Sequence, residues 1–140
     1  MLVNQIAVFL ENRTGRICEF SRVLKEANVN IQSMSIADTA EYGILRAITD
    51  NNEKAIEVLK ANGFNTASTD LIGFSVEDKP GEMHKVLRIL DEHKINIAYL
   101  YSFANSKSKQ GAILLKVEDN DRAMKILEEN GINLLGQNIL

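Results

Sequence analysis

Residues 77–83 have the sequence Glu-Asp-Lys-Pro-Gly-Glu-Met, and residues 11–17 have the sequence Glu-Asn-Arg-Thr-Gly-Arg-Ile. The first glutamate and the glycine match in the two stretches, and a basic residue follows Asp or Asn in both. Glycine is often required at the turn from a strand into a helix, because it tolerates backbone angles that other residues avoid. The two stretches therefore predict the same local structure at two places in one chain.

The similarity of the two halves extends outward from these stretches and keeps its order. At the same offset, identical residues recur in the next segment: Arg22 and Arg88, Leu24 and Leu90, Glu26 and Glu92, and the pairs Asn30-Ile31 and Asn96-Ile97. Beyond a loop that is longer in the second half, the identical residues are Gly43 and Gly111, Asn52 and Asn120, Ala55 and Ala123, Leu59 and Leu127, and the pairs Asn62-Gly63 and Asn130-Gly131. Such an ordered series indicates duplication of one structural unit.

Hydrophobic periodicity predicts the same elements in both halves. The apolar run from Ile6 to Leu10 predicts a buried strand. The helix after each glycine has apolar residues at helical spacing: Ile17, Phe20, Leu24 and Ala27 in the first half, and Met83, Val86, Leu87 and Leu90 in the second. The predicted ends of these helices are at Asn28 and Lys94. The predicted second and third strands are 31–38 and 42–49, then 97–105 and 111–117, joined by Asp-Thr-Ala-Glu and Ser-Lys-Ser-Lys turns.

A second helix is predicted in each half, with Asn52 or Asn120 near its cap and Gly63 or Gly131 after its end. A short last strand follows, and residues 66–76 lead almost directly into the next half. This β-α-β-β-α-β order, present twice, is the ferredoxin-like arrangement. The predicted fold class is α+β, with two ferredoxin-like units packed side by side, antiparallel sheets and helices on one face. The predicted domains are residues 1–70 and 71–140, and such small units need each other or a second chain to bury enough apolar surface.

The composition argues against several function classes. Hydrophobic residues make up 45% and charged residues 25% of the 140 residues, and the formal net charge is -3. Basic and acidic residues are interspersed, which argues against nucleic acid as a partner. The apolar runs are too short to span a bilayer, and the first ten residues lack the order of a secretory signal. Cys18 is the only cysteine, so we expect a reducing, cytoplasmic setting.

The repeated motif resembles the ACT-domain pattern. Residues 77–83, the helix after them and Ile95-Asn96-Ile97 match an Asp/Asn-basic-Pro-Gly loop, an amphipathic helix and an Asn-Ile pair at strand two. Residues 11–15 with Val29-Asn30-Ile31 match the same pattern, with Thr14 in place of the proline. The resemblance covers essentially the whole chain and is to small stand-alone tandem ACT proteins. It implies a non-catalytic regulatory protein without a cofactor that binds a free amino acid between ACT units, forms a homodimer and controls a metabolic enzyme.

The side chains in these motifs suit an amino acid. A helix N-terminus offers unpaired N–H groups to a carboxylate, and glycine allows close approach to the backbone. Asparagine amides offer both a donor and an acceptor to a zwitterion. We expect two pseudo-equivalent sites, the loop of residues 12–15 with Asn96 and the loop of residues 78–81 with Asn30. The predicted ligand-binding residues are Asn12, Arg13, Thr14, Gly15, Arg16, Asn30, Ile31, Asp78, Lys79, Pro80, Gly81, Glu82, Asn96 and Ile97.

Other functions stay open at this point. An assembly module would need the fold and its pairing but no small ligand. An acyl-phosphate hydrolase would use an arginine in the glycine loop and an asparagine, for which Arg13, Arg16 and Asn12 are available. We expect Cys18 to be an inert thiol, because no neighbouring base is evident. His84 and His93 lie on different faces of one helix, so a shared metal site is not expected.

Overall fold

The computed structural model describes residues 2–38, 42–103 and 110–137. Its elements in chain order are β1 (Val3–Glu11), α1 (Arg16–Glu26), β2 (Ile31–Asp38), β3 (Tyr42–Thr49), α2 (Asn52–Ala61), β4 (Asn65–Val76), α3 (Glu82–Glu92), β5 (Ile97–Phe103), β6 (Gly111–Val117), α4 (Asn120–Glu129) and β7 (Leu134–Leu135). The duplicated β-α-β-β-α-β order is confirmed. Most of the two predicted turns, and the predicted strand beyond Phe103, lie outside the described residues.

The chain divides into two compact units, one from Asn4 to Thr69 and the other from Asp70 onward with the residues before Asn4. In the first unit the strand order is β2-β3-β1, with the start of β4 beside β1. In the second unit β7 and β6 flank the rest of β4, and β5 pairs with β6. The pairs β1–β3, β2–β3, β4–β6, β4–β7 and β5–β6 are antiparallel. Both orders are ferredoxin-like, and the continuous β4 confirms the direct passage predicted between the halves.

Each unit has its own hydrophobic core, formed where the helices cover one face of the strands. The first core includes Ile6, Val8, Leu10, Phe20, Leu24 and Leu45, and the second includes Ile72, Phe74, Val86, Leu90, Leu115 and Leu127. The prediction for Ile17 is wrong, because this side chain is 43% exposed. It lies beside Ile36 of the edge strand β2, itself 40% exposed, so only an edge strand covers it. Val23 is buried in its place on the core face of α1.

Left-handed residues end the helices where the sequence predicts. Asn28 and Lys94 have φ of 57°, and Gly63 and Gly131 have φ of 83° and 77°. The caps of the second helices lie one residue earlier than Asn52 and Asn120. The side chains of Asn51 and Asp119 accept the N–H of Lys54 and Arg122, each at 3.1 Å. Asn52 instead accepts hydrogen bonds from the Thr49 N–H and hydroxyl and donates to the Asn4 carbonyl, tying α2 to the sheet.

Candidate functional site

The two glycine loops, residues 12–15 and 78–81, have the same backbone conformation. Gly15 has φ of 95° and Gly81 has φ of 89°, in the left-handed region that favours glycine. The hydrogen bonds of the loop backbones also correspond, from Arg13 N–H to the Glu11 carbonyl and from Lys79 N–H to the Glu77 carbonyl, both 2.9 Å. The proline-to-threonine difference at Thr14 therefore leaves the conformation of the first loop intact.

The basic residue of each loop forms an ion pair with the glutamate that precedes the loop. The Arg13–Glu11 distance is 2.9 Å and the Lys79–Glu77 distance is 2.6 Å. The Lys79 ammonium lowers the pKa of the Glu77 carboxyl, mainly through this hydrogen bond, and the pKa of Lys79 is raised in turn. Each predicted cation is thus already neutralised within its own loop.

The helices that follow the loops begin with unpaired backbone donors. Gly15 and Gly81 occupy the cap positions of α1 and α3, and a glycine offers no side chain to cap them. The next free N–H groups belong to Ile17, Cys18, Met83 and His84, for which the described part of the chain provides no acceptor. Such groups at the positive end of a helix dipole suit a carboxylate.

The first residue of each helix distinguishes the two loops electrostatically. The Arg16 guanidinium lies over the Phe64 ring, 4.3 Å from its centroid, and its buried Nε has no acceptor among the described residues. The equivalent Glu82 accepts a hydrogen bond from the Lys85 ammonium at 2.7 Å and is one quarter exposed. Because a cation favours a bound carboxylate and an anion disfavours it, the loops are not electrostatically equivalent.

The asparagine of each Asn-Ile pair lines a cleft at the start of the second strand. The first cleft, about 450 Å³, is lined by Ser21, Lys25, Asn28, Val29, Asn30, Ile31 and Asp50. The second cleft, about 310 Å³, is lined by Lys94, Ile95, Asn96, Glu118, Asp119 and Arg122. The side-chain amides of Asn30 and Asn96 are exposed, and no described residue pairs with them. These amides are available to a ligand, while the half-buried Ile31 and Ile97 anchor the strands.

The acidic residue of the first cleft holds its backbone in place. The Asn30 N–H donates to an Asp50 carboxylate oxygen at 3.0 Å, and the Asp50 N–H donates to the Asn30 carbonyl at 3.0 Å. Sequence reasoning did not single out Asp50, or its equivalent Glu118. The repeat alignment contains the signal, since both halves have an acidic residue directly after the third strand.

Within one unit, the loop and the Asn-Ile pair are not brought together. The helix between them has 11 residues in each unit, which corresponds to about 16 Å at 1.5 Å per residue. Asn12, Thr14, Asp78 and Pro80 are exposed at one end of this helix, and Asn30 and Asn96 at the other. A single amino acid is too small to span that distance, so one unit alone cannot form the predicted site.

The remaining candidate groups show no catalytic arrangement. Cys18 is a free, exposed thiol, and His93 Nδ1 lies 2.8 Å from the Ile89 carbonyl of its own helix. In the ranges that the structure describes, no cluster of His, Cys, Asp and Glu is arranged to hold a metal ion. The rings of Tyr99 and Tyr101 stack on one face of β5 at a centroid distance of 6.5 Å. None of the described helices combines the length and apolar character needed to cross a membrane.

Comparisons with known proteins agree with this geometry. The family model of the ACT domain pair matches residues 1–140. The chain is 36% identical to protein BT0572 from Bacteroides thetaiotaomicron, with a TM-score of 0.90, covering 98% of this chain and 94% of that one. It is also similar to the ligand-free regulatory subunit of aspartate kinase from Thermus thermophilus, with 14% identity, a TM-score of 0.64, and 93% and 94% coverage.

A third similar structure is E. coli aspartokinase III in complex with aspartate and ADP, with 12% identity and a TM-score of 0.57. The match covers 93% of this chain and 32% of the aspartokinase chain. At such identities the two aspartate kinase structures show a shared fold alone. No curated protein matches the chain.

Proposed function

Because the chain belongs to the family of ACT domain pairs, a regulatory fold, we propose that it is a non-catalytic sensor that binds a free amino acid. The observation that carries this proposal is a complementary pair of features in each repeat. A glycine-capped helix start has unpaired N–H groups for a carboxylate, and a cleft has a free asparagine amide for an ammonium group.

The two features need two ACT units. Because a helix separates them within each unit, we propose that the loop of one unit and the strand start of another hold the ligand together. Domains 1–70 and 71–140 would each contribute one loop and one strand start. A second copy of the chain, forming a homodimer, is a further source of either part.

Such a site acts through linkage. A ligand held by two units stabilises the arrangement in which both contact it, and it shifts the population toward that arrangement. The same free energy then changes the affinity of the protein for its partner, which we propose to be a metabolic enzyme in the cytoplasm. The solved E. coli aspartokinase III with bound aspartate contains the same fold within an enzyme chain, which supports this assignment of partner class.

A thermal-shift screen of the purified protein against all free amino acids tests the proposal. A ligand that binds only the folded state raises the melting temperature. The hit is then titrated into Asn30→Ala and Asn96→Ala, where loss of a charged hydrogen bond weakens binding by about tenfold at a functional site. Asn65→Ala is the matched control, because Asn65 is an exposed asparagine at the start of β4 and lines neither cleft.

The alternative function is an assembly module that regulates a partner protein without a small ligand. It predicts a folded protein for which no amino acid changes the melting temperature. That result, in a sample free of co-purified ligand, would rule out the sensor. A hit whose affinity is the same in all three variants would leave the sensor in place but move its site away from the clefts.

A further inference from the structure

The second cleft is occupied by one of the protein's own cations. The Arg122 guanidinium donates to the His93 carbonyl at 2.6 Å. His93 is the C-terminal cap of α3, so its carbonyl lies at the negative end of the helix dipole, where a cation is favoured. Arg122 also lines the cleft, so its side chain takes up part of the space beside Asn96.

The first cleft has the same carbonyl but no cation on it. Ala27 is the C-terminal cap of α1 and corresponds to His93, and no donor from the described residues reaches its carbonyl oxygen. Lys54 corresponds to Arg122, since each is the third residue after its helix cap and donates its N–H to that cap at 3.1 Å. The Lys54 side chain is exposed and does not line the first cleft.

The difference in size between the clefts follows from this exchange. The first cleft has about 450 Å³ and the second about 310 Å³. The acidic residue is kept in both, as Asp50 in the first and Glu118 in the second. The first cleft therefore combines a helix C-terminus, a carboxylate and a free amide, and it lacks the cation that satisfies them in the second.

We propose that the first cleft takes the ammonium group of the ligand amino acid, in the position that the Arg122 guanidinium occupies in the second cleft. The second cleft is closed to the ligand by Arg122, so the chain has one functional ammonium site. An ammonium has three donors, which match the Ala27 carbonyl, the Asp50 carboxylate and the Asn30 amide oxygen. Lys25 also lines this cleft and offers the ligand carboxylate a partner, which favours a zwitterion over a simple amine. The inference rests on the proposed function and assigns the ammonium end of its ligand.

The test uses methylammonium, whose binding does not depend on knowing the amino acid. It is titrated into the ¹⁵N-labelled full chain and followed by the amide resonances, with tetramethylammonium, a cation without N–H donors, as the control for charge and ionic strength. We expect shifts at Asn28, Asn30 and Asp50 with methylammonium only, and none at Asn96 or Glu118.

Two reciprocal variants then exchange the clefts. Lys54→Arg places a guanidinium at the first cleft and weakens methylammonium binding there about fivefold, because the ligand competes for the same acceptors. Arg122→Lys removes the guanidinium from the second cleft and produces new shifts at Asn96 and Glu118. Equal shifts at both clefts of the unmodified chain, shifts at neither, or variants without effect would overturn the inference.

The outcome also separates this inference from the proposed function. If the methylammonium pattern is as expected but no amino acid raises the melting temperature, the first cleft is an amine site and the amino-acid sensor is refuted. If an amino acid binds and the two reciprocal variants leave its affinity and stoichiometry unchanged, the sensor stands and the assignment of its ammonium group is wrong.

Discussion

Replacing Gly81 by alanine tests whether the loop conformation, and not local packing, requires glycine. Gly81 has φ of 89°, and an added Cβ would have no described atom within 4 Å. The substitution therefore creates no steric clash with the rest of the protein. Its cost is the backbone cost of a left-handed L-residue, about 1–2 kcal/mol. Alanine also reduces the entropy of the unfolded chain, which returns about 0.5 kcal/mol. The expected net loss of unfolding free energy is about 1 kcal/mol.

Gly111→Ala is the matched control for that loss. Gly111 opens β6 outside the left-handed region, and its added Cβ would lie 3.7 Å from the Val76 carbonyl oxygen, an ordinary contact. We expect this variant to be as stable as the parent or more stable by about 0.5 kcal/mol. Urea unfolding of both variants measures the difference, and a thermal melt shows a lower midpoint for Gly81→Ala by about 3 °C. Equal stability of the two variants would refute the assignment of the cost to backbone conformation.

Three other substitutions test the packing, the polar ties and the loop ion pair. Phe64→Ala removes a side chain that is only 3% exposed and should lower the unfolding free energy by about 3–5 kcal/mol in urea melts. Asn52→Ala should cost about 2 kcal/mol, because it removes several partly buried hydrogen bonds, whereas Asn120→Ala removes one bond of 3.3 Å and should cost about 0.5 kcal/mol in the same assay. Lys79 holds the pKa of the Glu77 carboxyl below its ordinary value of 4.5, so the ion pair stabilises the fold above that value and is lost as pH falls through the lowered pKa. Glu77→Gln should therefore flatten the acid side of the stability–pH profile, and an unchanged profile would contradict this role.

The fold was predictable from the sequence because the duplication repeats every local signal. A glycine that opens a helix, an apolar helical face and an Asn-Gly pair at a helix end occur twice in the same order. Each prediction therefore had an independent copy to check it. The error at Ile17 has a clear physical cause. Periodicity identifies the face of a helix, but it does not show where the sheet beneath that face ends in an edge strand.

The loops of the candidate site were also predictable, whereas the clefts were not. The glycine at each helix start is a local backbone requirement, and its signal is present in a few adjacent residues. The first cleft instead joins a helix end to Asp50, which lies a strand hairpin away in sequence. Whether Lys54 or an arginine reaches a helix carbonyl depends on the direction of one long side chain in three dimensions. No spacing rule in the sequence contains that information.

The comparison of the two repeats separates positions that form the fold from positions that distinguish the sites. Residues that set the backbone are shared, such as the glycines with positive φ and the acidic residue after the third strand. Residues that differ in charge or size lie at the loop and at the cleft, where Arg16 is replaced by Glu82 and Lys54 by Arg122. In the first repeat the charge at the helix start favours a carboxylate and the cleft is open to an ammonium group. In the second, Glu82 repels a carboxylate and Arg122 already fills the cation position. Both differences weaken the second set of ligand contacts, so the two repeats share one fold but not one binding capacity.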